Sequence, residues 1–306
     1  MKYIYDTENV HLNAPSAVTL GKFDGVHRGH QKLMERILKA KDEGLCSVVF
    51  TFDLPPSASL SGQPASMLLT NRERRCFLEK MGIDVLIEYP FTEPVSHMEP
   101  EVFVRRILSE SLDAKKIVIG EDFHFGYRRR GDGALLKKMQ EECGYDLEVL
   151  EKERIDGRIV SSTYIKEELQ KGNMETVNRL LGYPYTVQGE IIHGFHMGRS
   201  FGWPTINQRP SQTKKLPPNG VYVSRTNIDG ILYRGVTNVG NKPTIEGGLP
   251  KGVETFLFDV NQDFYGKTAD VSLLSFLRPE TKFGSKDELM AQVERDKAAA
   301  EAYFHK

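Results

Sequence analysis

Two histidines stand three residues apart in Leu20-Gly-Lys-Phe-Asp-Gly-Val-His-Arg-Gly-His30, directly after an apolar run. On the first turn of a helix, His27 and His30 would share one face. Imidazoles that donate hydrogen bonds suit negative charge building on a phosphorus centre. A helix N-terminus adds free N–H groups and the positive end of its dipole. Gly21 and Gly25 lie in the turn before it, and Gly29 keeps side-chain bulk out of a phosphate's path. A zinc site is the weaker reading of the pair. Further along, Val160-Ser-Ser-Thr-Tyr-Ile-Lys166 places Ser161, Ser162 and Thr163 where they would cap a late helix, with Lys166 one turn on. That set offers hydroxyl and N–H donors to phosphates, or a plain N-cap.

Such chemistry needs a strand to deliver the turn and a helix to receive it. Residues 16–20 read as that strand. Residues 31–40 read as that helix, with Leu33, Met34, Ile37 and Leu38 on one face. The alternation continues with strands at 47–52, 84–87, 116–119 and 147–150. Helices are expected at 71–81, 100–109 and 134–142, the first with Phe77 and Leu78 opposite its charges. Strands alternating with helices imply parallel crossovers and a doubly wound, Rossmann-like sheet, whose ligands bind at the carboxyl ends of its strands.

The rhythm changes after Gly182-Tyr-Pro184. Short β-prone runs follow at 189–192, 220–223, 231–236, 255–258 and 271–276, with a hairpin turn at Asp229-Gly230. This reads as a small antiparallel barrel or sandwich. A helix over 285–302 closes the chain, with Ser285 and Glu288 as a capping box and Leu289, Val293 and Ala300 toward the barrel. The expected architecture is therefore α/β plus β, in domains 1–182 and 183–306. Residues 59–67 read as a mobile loop.

The chain's 306 residues fit two domains, and 39% hydrophobic content supports sizeable cores. Its 41 basic and 42 acidic residues leave a net charge of −1, which excludes a general electrostatic grip on nucleic acid or an acidic membrane. Cys46, Cys76 and Cys143 form no Cys-x-x-Cys pair, so reduced thiols are expected. No signal segment and no run of about 18 apolar residues is visible. A soluble cytoplasmic protein, monomeric or weakly homo-oligomeric, is the expectation.

Gly-Lys-Phe-Asp-Gly-Val-His-Arg-Gly-His, between a strand and a helix, resembles the signature of the nucleotidyltransferase superfamily. Val160 to Lys166 resembles that superfamily's S-S-T-x-I-R, with lysine for arginine. Gly120-Glu-Asp-Phe-His-Phe-Gly126, trailed by Arg128, is similar to the pattern of prokaryotic FAD synthetases. Gly194, Gly198 and Arg199, followed by Phe201-Gly-Trp-Pro-Thr-Ile-Asn207, resemble the riboflavin kinase family. So do Val253-Glu254, Asp263-Phe-Tyr-Gly266 and Phe276-Leu-Arg-Pro-Glu280. From about residue 14 to 303 the chain resembles the bifunctional riboflavin kinase/FAD synthetases of bacteria.

The resemblance implies two transfers. Riboflavin and ATP give FMN in the C-terminal domain, and FMN with a second ATP gives FAD and pyrophosphate in the N-terminal one. Glu254 would be the base on the ribityl hydroxyl. Thr205 and Asn207 would hold Mg²⁺ with ATP, Gly194, Gly198 and Arg199 would cover its phosphates, and Arg278 and Glu280 would meet the flavin. His27 and His30 would stabilise adenylyl transfer without a covalent intermediate. Gly21, Phe23, Asp24, Gly29, Ser161, Ser162, Thr163 and Lys166 would hold the ATP phosphates. Asp122, Phe123, Phe125, Gly126 and Arg128 would shape the second substrate's pocket. Where the family carries Phe-x-Pro-His-Pro, this chain reads Phe52-Asp-Leu-Pro-Pro-Ser57. A kinase whose first domain serves mainly as a binding module is the alternative.

Overall fold

A computed structural model describes residues 1–53, 66–193, 205–240, 251–260 and 262–305. By contacts the chain divides into two compact units, residues 1–65 with 71–161 and residues 66–70 with 162–306.

The first unit is a six-stranded parallel sheet. Its strands are β1 (Lys2–Tyr5), β2 (Ser16–Leu20), β3 (Cys46–Asp53), β4 (Val85–Pro90), β5 (Ala114–Gly120) and β6 (Asp146–Leu150), in the spatial order β1-β4-β3-β2-β5-β6. Strand β2 is buried along its whole length, as an apolar run covered on both faces must be. Helix α1 (Arg28–Lys39) buries Leu33, Met34 and Ile37. Helix α2 (Asn71–Met81) buries Leu78 as expected, but also Arg74, a cation on the face read as apolar. Short helices α3 (Glu93–Ser96) and α4 (Pro100–Val102) lead into a π-helical stretch, Phe103–Ser111, where a regular helix was expected. Helix α5 (Gly133–Cys143) starts on an Asp132 cap, whose carboxylate accepts from the Leu135 N–H at 2.9 Å.

Edge strand β1 was not foreseen. It pairs with β4 from Lys2↔Val85 to Tyr5↔Glu88, and four residues at the start of a chain give too short a pattern to read. The hairpin β7 (Arg154–Ile155) and β8 (Arg158–Ile159) was also missed, although Asp156 and Gly157 at its turn both have positive φ.

The second unit opens with helices α6 (Ser162–Lys171) and α7 (Met174–Leu181), the latter ending on left-handed Gly182. Strands β9 (Tyr185–Ile192), β10 (Thr205–Gln208), β11 (Gly220–Ile228), β12 (Ile231–Gly240), β13 (Gly252–Leu257) and β14 (Thr268–Pro279) close an antiparallel barrel in the order β10-β13-β12-β11-β14-β9. Asp229 and Gly230, at φ 52° and 85°, turn β11 into β12 as anticipated. Ile191, Ile206, Ile228, Leu257, Phe264 and Ala269 pack together as one core of this unit.

Helix α8 (Lys286–Phe304) closes the chain, and Ser285 accepts from the Glu288 N–H at 3.2 Å. The Glu288 carboxylate reaches the Gly284 N–H rather than that of Ser285, so the return bond of the box lands one residue early. Ala300 is buried against Val221, Val223 and Val236. The three cysteines are free. The anticipated loop at 59–67 lies almost wholly outside the described residues.

Candidate active sites

Strand order decides where the first unit can hold a ligand. After β2 the chain builds outward through β3 and β4, then returns to place β5 on the other side of β2. Strands β2 and β5 are parallel neighbours, with Thr19 opposite Val118, so their following loops leave the same end of the sheet on either side of the switch point. The first of those loops ends at His27 and leads into α1, which carries His30, and the second carries Asp122 to Arg128.

The turn after β2 is tightly held. The Gly21 N–H donates to the Phe50 carbonyl at 3.2 Å, and the Val26 N–H to the Phe23 carbonyl at 3.3 Å. Phe23 and Val26 have φ of 48° and 34°, a conformation that costs about 1–3 kcal/mol at a non-glycine residue and persists only where surrounding contacts impose it. Both are fully buried. Gln31 donates to the Val26 carbonyl at 2.7 Å, tying helix back to turn. His27 is the N-cap of α1, but its side chain does not cap, and no acidic residue occupies the first turn. The imidazoles of His27 and His30 stack instead, centroids 3.7 Å apart and 19° from parallel, and Phe23 meets His30 edge-on at 5.2 Å. A methyl group on Gly29 would lie in van der Waals contact with the His27 ring, at 3.4 Å.

Burial pushes His27 down to about 4, against a smaller upward pull from Asp24. Burial, then the neighbouring His27, holds His30 well below the ordinary histidine range. Both rings are therefore neutral at pH 7. Their buried Nδ1 atoms have no hydrogen-bond partner among the described residues. Two neutral imidazoles with unmet hydrogen-bonding atoms are prepared for a polar ligand.

In the second loop, Phe125 is buried and exchanges two 2.9 Å backbone hydrogen bonds with Gly131. Gly126, at φ 70°, lies so close to Pro100 that a Cβ would come within 2.7 Å of it. Phe123 stacks on Phe125, while Phe125 meets Phe103 and Phe103 meets Phe52 at a tilt, with centroids 5.6, 5.6 and 6.5 Å apart. Phe91 extends the row, 5.2 Å from Phe52, and is 46% exposed. Phe52, Phe91 and Phe103 were missed because they come from three separate segments that only the sheet brings together. Asp122 pairs with Lys152 at 2.9 Å, and exposed Arg128 lies 5.1 Å over the Tyr127 ring.

The contact boundary between the units falls between Ser161 and Ser162. Ser162, Thr163 and Lys166 lie on the opening turns of α6, in the second unit. Burial, then the charges of Lys166 and Lys251, push the Lys215 ammonium down.

In the barrel, β10 and β13 pair so that Asn207 faces Glu254, and β12 sets Asn238 opposite Glu254 from the other side. Period-two alternation puts Thr205 on the face of Asn207. Its hydroxyl donates to the Glu254 carboxylate at 3.0 Å. Thr205, Asn238 and Glu254 line one cavity of about 320 Å³, with Val221, Val236 and Phe256 as barrel wall and Leu289 and Val293 supplied by α8. Glu280 accepts from Asn219 at 3.1 Å and from Asn238 at 3.4 Å. Arg278 forks onto the buried Asp296 of α8, Nε to Oδ1 at 2.9 Å and a terminal nitrogen to Oδ2 at 2.7 Å. Asn238 lies in Thr237-Asn-Val-Gly-Asn-Lys-Pro-Thr244, a stretch that resembles the riboflavin kinase family but carried no assigned role, and Asp296 was missed, since it sits on a charged helix. Gly194, Gly198 and Arg199 lie outside the described residues, as do Pro204, Trp203 and the segment from Leu54 to Ser57.

The FAD synthetase family model matches residues 10–164, and the riboflavin kinase family model matches residues 181–304. The bifunctional riboflavin kinase/FMN adenylyltransferase of Haemophilus influenzae is 35% identical over 292 residues, covering 94% of each chain. That of Bacillus subtilis is 34% identical, covering 99% of this chain and 98% of its own. A solved structure described as a macrolide-efflux protein from Streptococcus pneumoniae is 29% identical, with a TM-score of 0.86 over 98% of this chain and 99% of its own. Among the described residues no helix is long and apolar enough to cross a membrane. Two successive family models and relatives matched along nearly their whole length lead to one conclusion: the chain belongs to the bifunctional riboflavin kinase/FMN adenylyltransferase family.

Proposed function

We propose that the barrel unit phosphorylates riboflavin and that the sheet unit adenylylates the resulting FMN, with the working domains meeting near residue 182. The observation that carries the reading is the pairing of two separate polar centres, each at the functional end of its own fold. One is the stacked His27–His30 pair at the sheet's switch point. The other is the Thr205–Glu254 pair on the wall of the barrel cavity.

In the kinase step, Glu254 accepts the proton of riboflavin's terminal ribityl hydroxyl as its oxygen attacks the γ-phosphorus of ATP. The bond from γ-phosphorus to the bridging oxygen breaks, and ADP leaves with that oxygen. Thr205 and Asn207 offer oxygen donors on one face of β10, beside Glu254 of β13. That set fits Mg²⁺, which keeps waters and shares its shell with phosphates. When bound, Mg²⁺ neutralises phosphate charge. Gly194, Gly198 and Arg199 belong to the stretch assigned to the ATP phosphates. The flavin ring lies in the apolar cavity between Val221, Val236, Phe256 and α8. Glu280 meets its polar edge, and Arg278, locked by Asp296, forms a fixed side of the pocket.

In the second step, an FMN phosphate oxygen attacks the α-phosphorus of another ATP and pyrophosphate departs. His27 and His30 donate hydrogen bonds to the oxygens that gain charge in the transition state. Gly21, Phe23, Asp24 and Gly29 hold that pair in place. By the resemblance, Ser161, Ser162, Thr163 and Lys166 are the residues assigned to the ATP phosphates, with hydroxyl, N–H and ammonium donors that suit them. The aromatic row that includes Phe123 and Phe125 receives the flavin, Gly126 and Asp122 shape its loop, and Arg128 stands beside it.

The test uses the full chain with Mg²⁺ and ATP. His27→Asn with His30→Asn is expected to lower FAD formation from supplied FMN by about 100-fold or more, with FMN formation from riboflavin intact. Glu254→Gln is expected to do the reverse by a similar factor, about 100-fold. Unchanged FAD formation in the histidine variant would overturn the first assignment and favour a binding-module role for the sheet unit.

A further inference from the structure

Arg74 lies on α2, is 3% exposed, and pairs with the equally buried Glu88 of β4. Buried ion pairs generally gain little over apolar side chains of the same size, because desolvation offsets their attraction. A reason other than stability is therefore to be sought, and the remaining contacts supply one. A second terminal nitrogen of Arg74 donates to the backbone carbonyl of Lys22, inside the histidine turn, at 3.3 Å. Asn71 and Glu88 orient the other terminal nitrogen, and the Tyr3 hydroxyl donates to the far Glu88 oxygen at 2.7 Å. The buried Nε–H makes no hydrogen bond among the described residues, so the guanidinium is aimed at the carbonyl and the carboxylate rather than at fullest pairing.

Lys22 is flanked by Gly21, whose N–H is held by β3, and by Phe23 in its left-handed conformation. The peptide groups on either side of the Gly21–Lys22 link are thus gripped, one N–H by Phe50 and one C=O by Arg74, just where the backbone enters strain. Such a conformation lasts only while neighbours impose it. The turn in turn sets where α1 begins and where His27 and His30 stack.

We propose that Arg74 is a positioning residue for adenylyl transfer, holding the Lys22 carbonyl so that His27 and His30 meet the reacting phosphate, with Glu88 and Tyr3 orienting its guanidinium. This rests on the reading of that pair as the adenylyl-transfer centre. The barrel activity of the same chain is an internal control.

The variant to make is Arg74→Met with Glu88→Met, which removes both charges and leaves neither buried alone. Arg74→Lys is its conservative companion, keeping the charge but not the fork. Steady-state FAD formation from FMN, riboflavin phosphorylation and the histidine ring resonances in NMR spectra are measured on the same folded preparation. A misplacement of catalytic groups by about 1 Å costs up to about 100-fold, so the double variant is expected to lose about 10- to 100-fold in adenylyl-transfer kcat. KM for ATP and FMN and the rate of riboflavin phosphorylation stay near their original values, and the His27 and His30 resonances shift. Arg74→Lys is expected to fall between. An unchanged kcat per folded molecule, or a loss confined to KM, would overturn the proposal. If His27→Asn with His30→Asn abolishes FAD formation while the double variant does not, this inference fails and the assignment of the histidines stands.

Discussion

His27 and His30 are neutral because they are buried, and neutrality has a consequence for stability. The unfolded chain takes up a proton on His27 near its ordinary value of 6.5, whereas the folded protein does so only near 4. Stability from this site is complete above pH 6.5 and falls as pH drops toward 4, by up to roughly 3 kcal/mol for His27. The melting temperature is expected to fall more steeply between pH 6.5 and 4.5 in the wild-type chain than in the His27→Asn, His30→Asn variant. Parallel melting curves would mean that the rings are not protected from protons. That these two residues share a face was legible from their spacing. That they stack and leave Nδ1 unmet was not, because their packing depends on Phe23, Val26 and the sheet beneath.

At the scale of elements, α8 is held to the barrel partly by a charge pair. Asp296 is 5% exposed and receives three hydrogen bonds from Arg278, whose Nε is shared between both carboxylate oxygens, and one from Gln292 at 2.9 Å. Removing one partner of a buried pair costs at most about 3–5 kcal/mol, because the other is left without compensation. Asp296→Ala is therefore expected to lower the melting temperature of the barrel unit and raise KM for riboflavin, with FAD formation from supplied FMN unchanged. An unaltered KM would show that α8 does not wall the flavin pocket. The helix itself was legible from its Ser285 cap, and Ala300 does face the barrel. Its most buried polar residue was not legible, because Asp296 on a charge-rich helix looks like any solvated acid. Arg74 on α2 hid in the same way among the charges of Asn71-Arg-Glu-Arg-Arg75.

At the scale of the whole molecule, the product of one reaction is the substrate of the other, and each unit carries its own polar centre. We expect FMN to leave the kinase site before it is adenylylated. Labelled riboflavin turned over with excess unlabelled FMN should yield FAD whose label is diluted to the level of the mixed FMN pool. FAD retaining the full specific label would mean direct transfer.

The sequence by itself determined much of this protein. Local periodicity dictates strand, turn and helix. The β2–α1 unit, the alternating first half, the glycine-punctuated barrel, the Asp229-Gly230 turn and the closing helix were all legible within windows of a few residues. The motifs around His27, Asp122, Thr205 and Glu254 identified the family for the same reason, since each is contiguous. Only the tertiary structure decided what depends on distant residues meeting. Glu254 reaches Thr205 because β13 pairs with β10. The aromatic row assembles because β3, the π-helical stretch and the loop after β5 come together in one sheet unit. Arg74 meets Lys22 because α2 packs beside the turn after β2. Side-chain contacts across such separations are set by strand order and burial, and neither can be read from a local window.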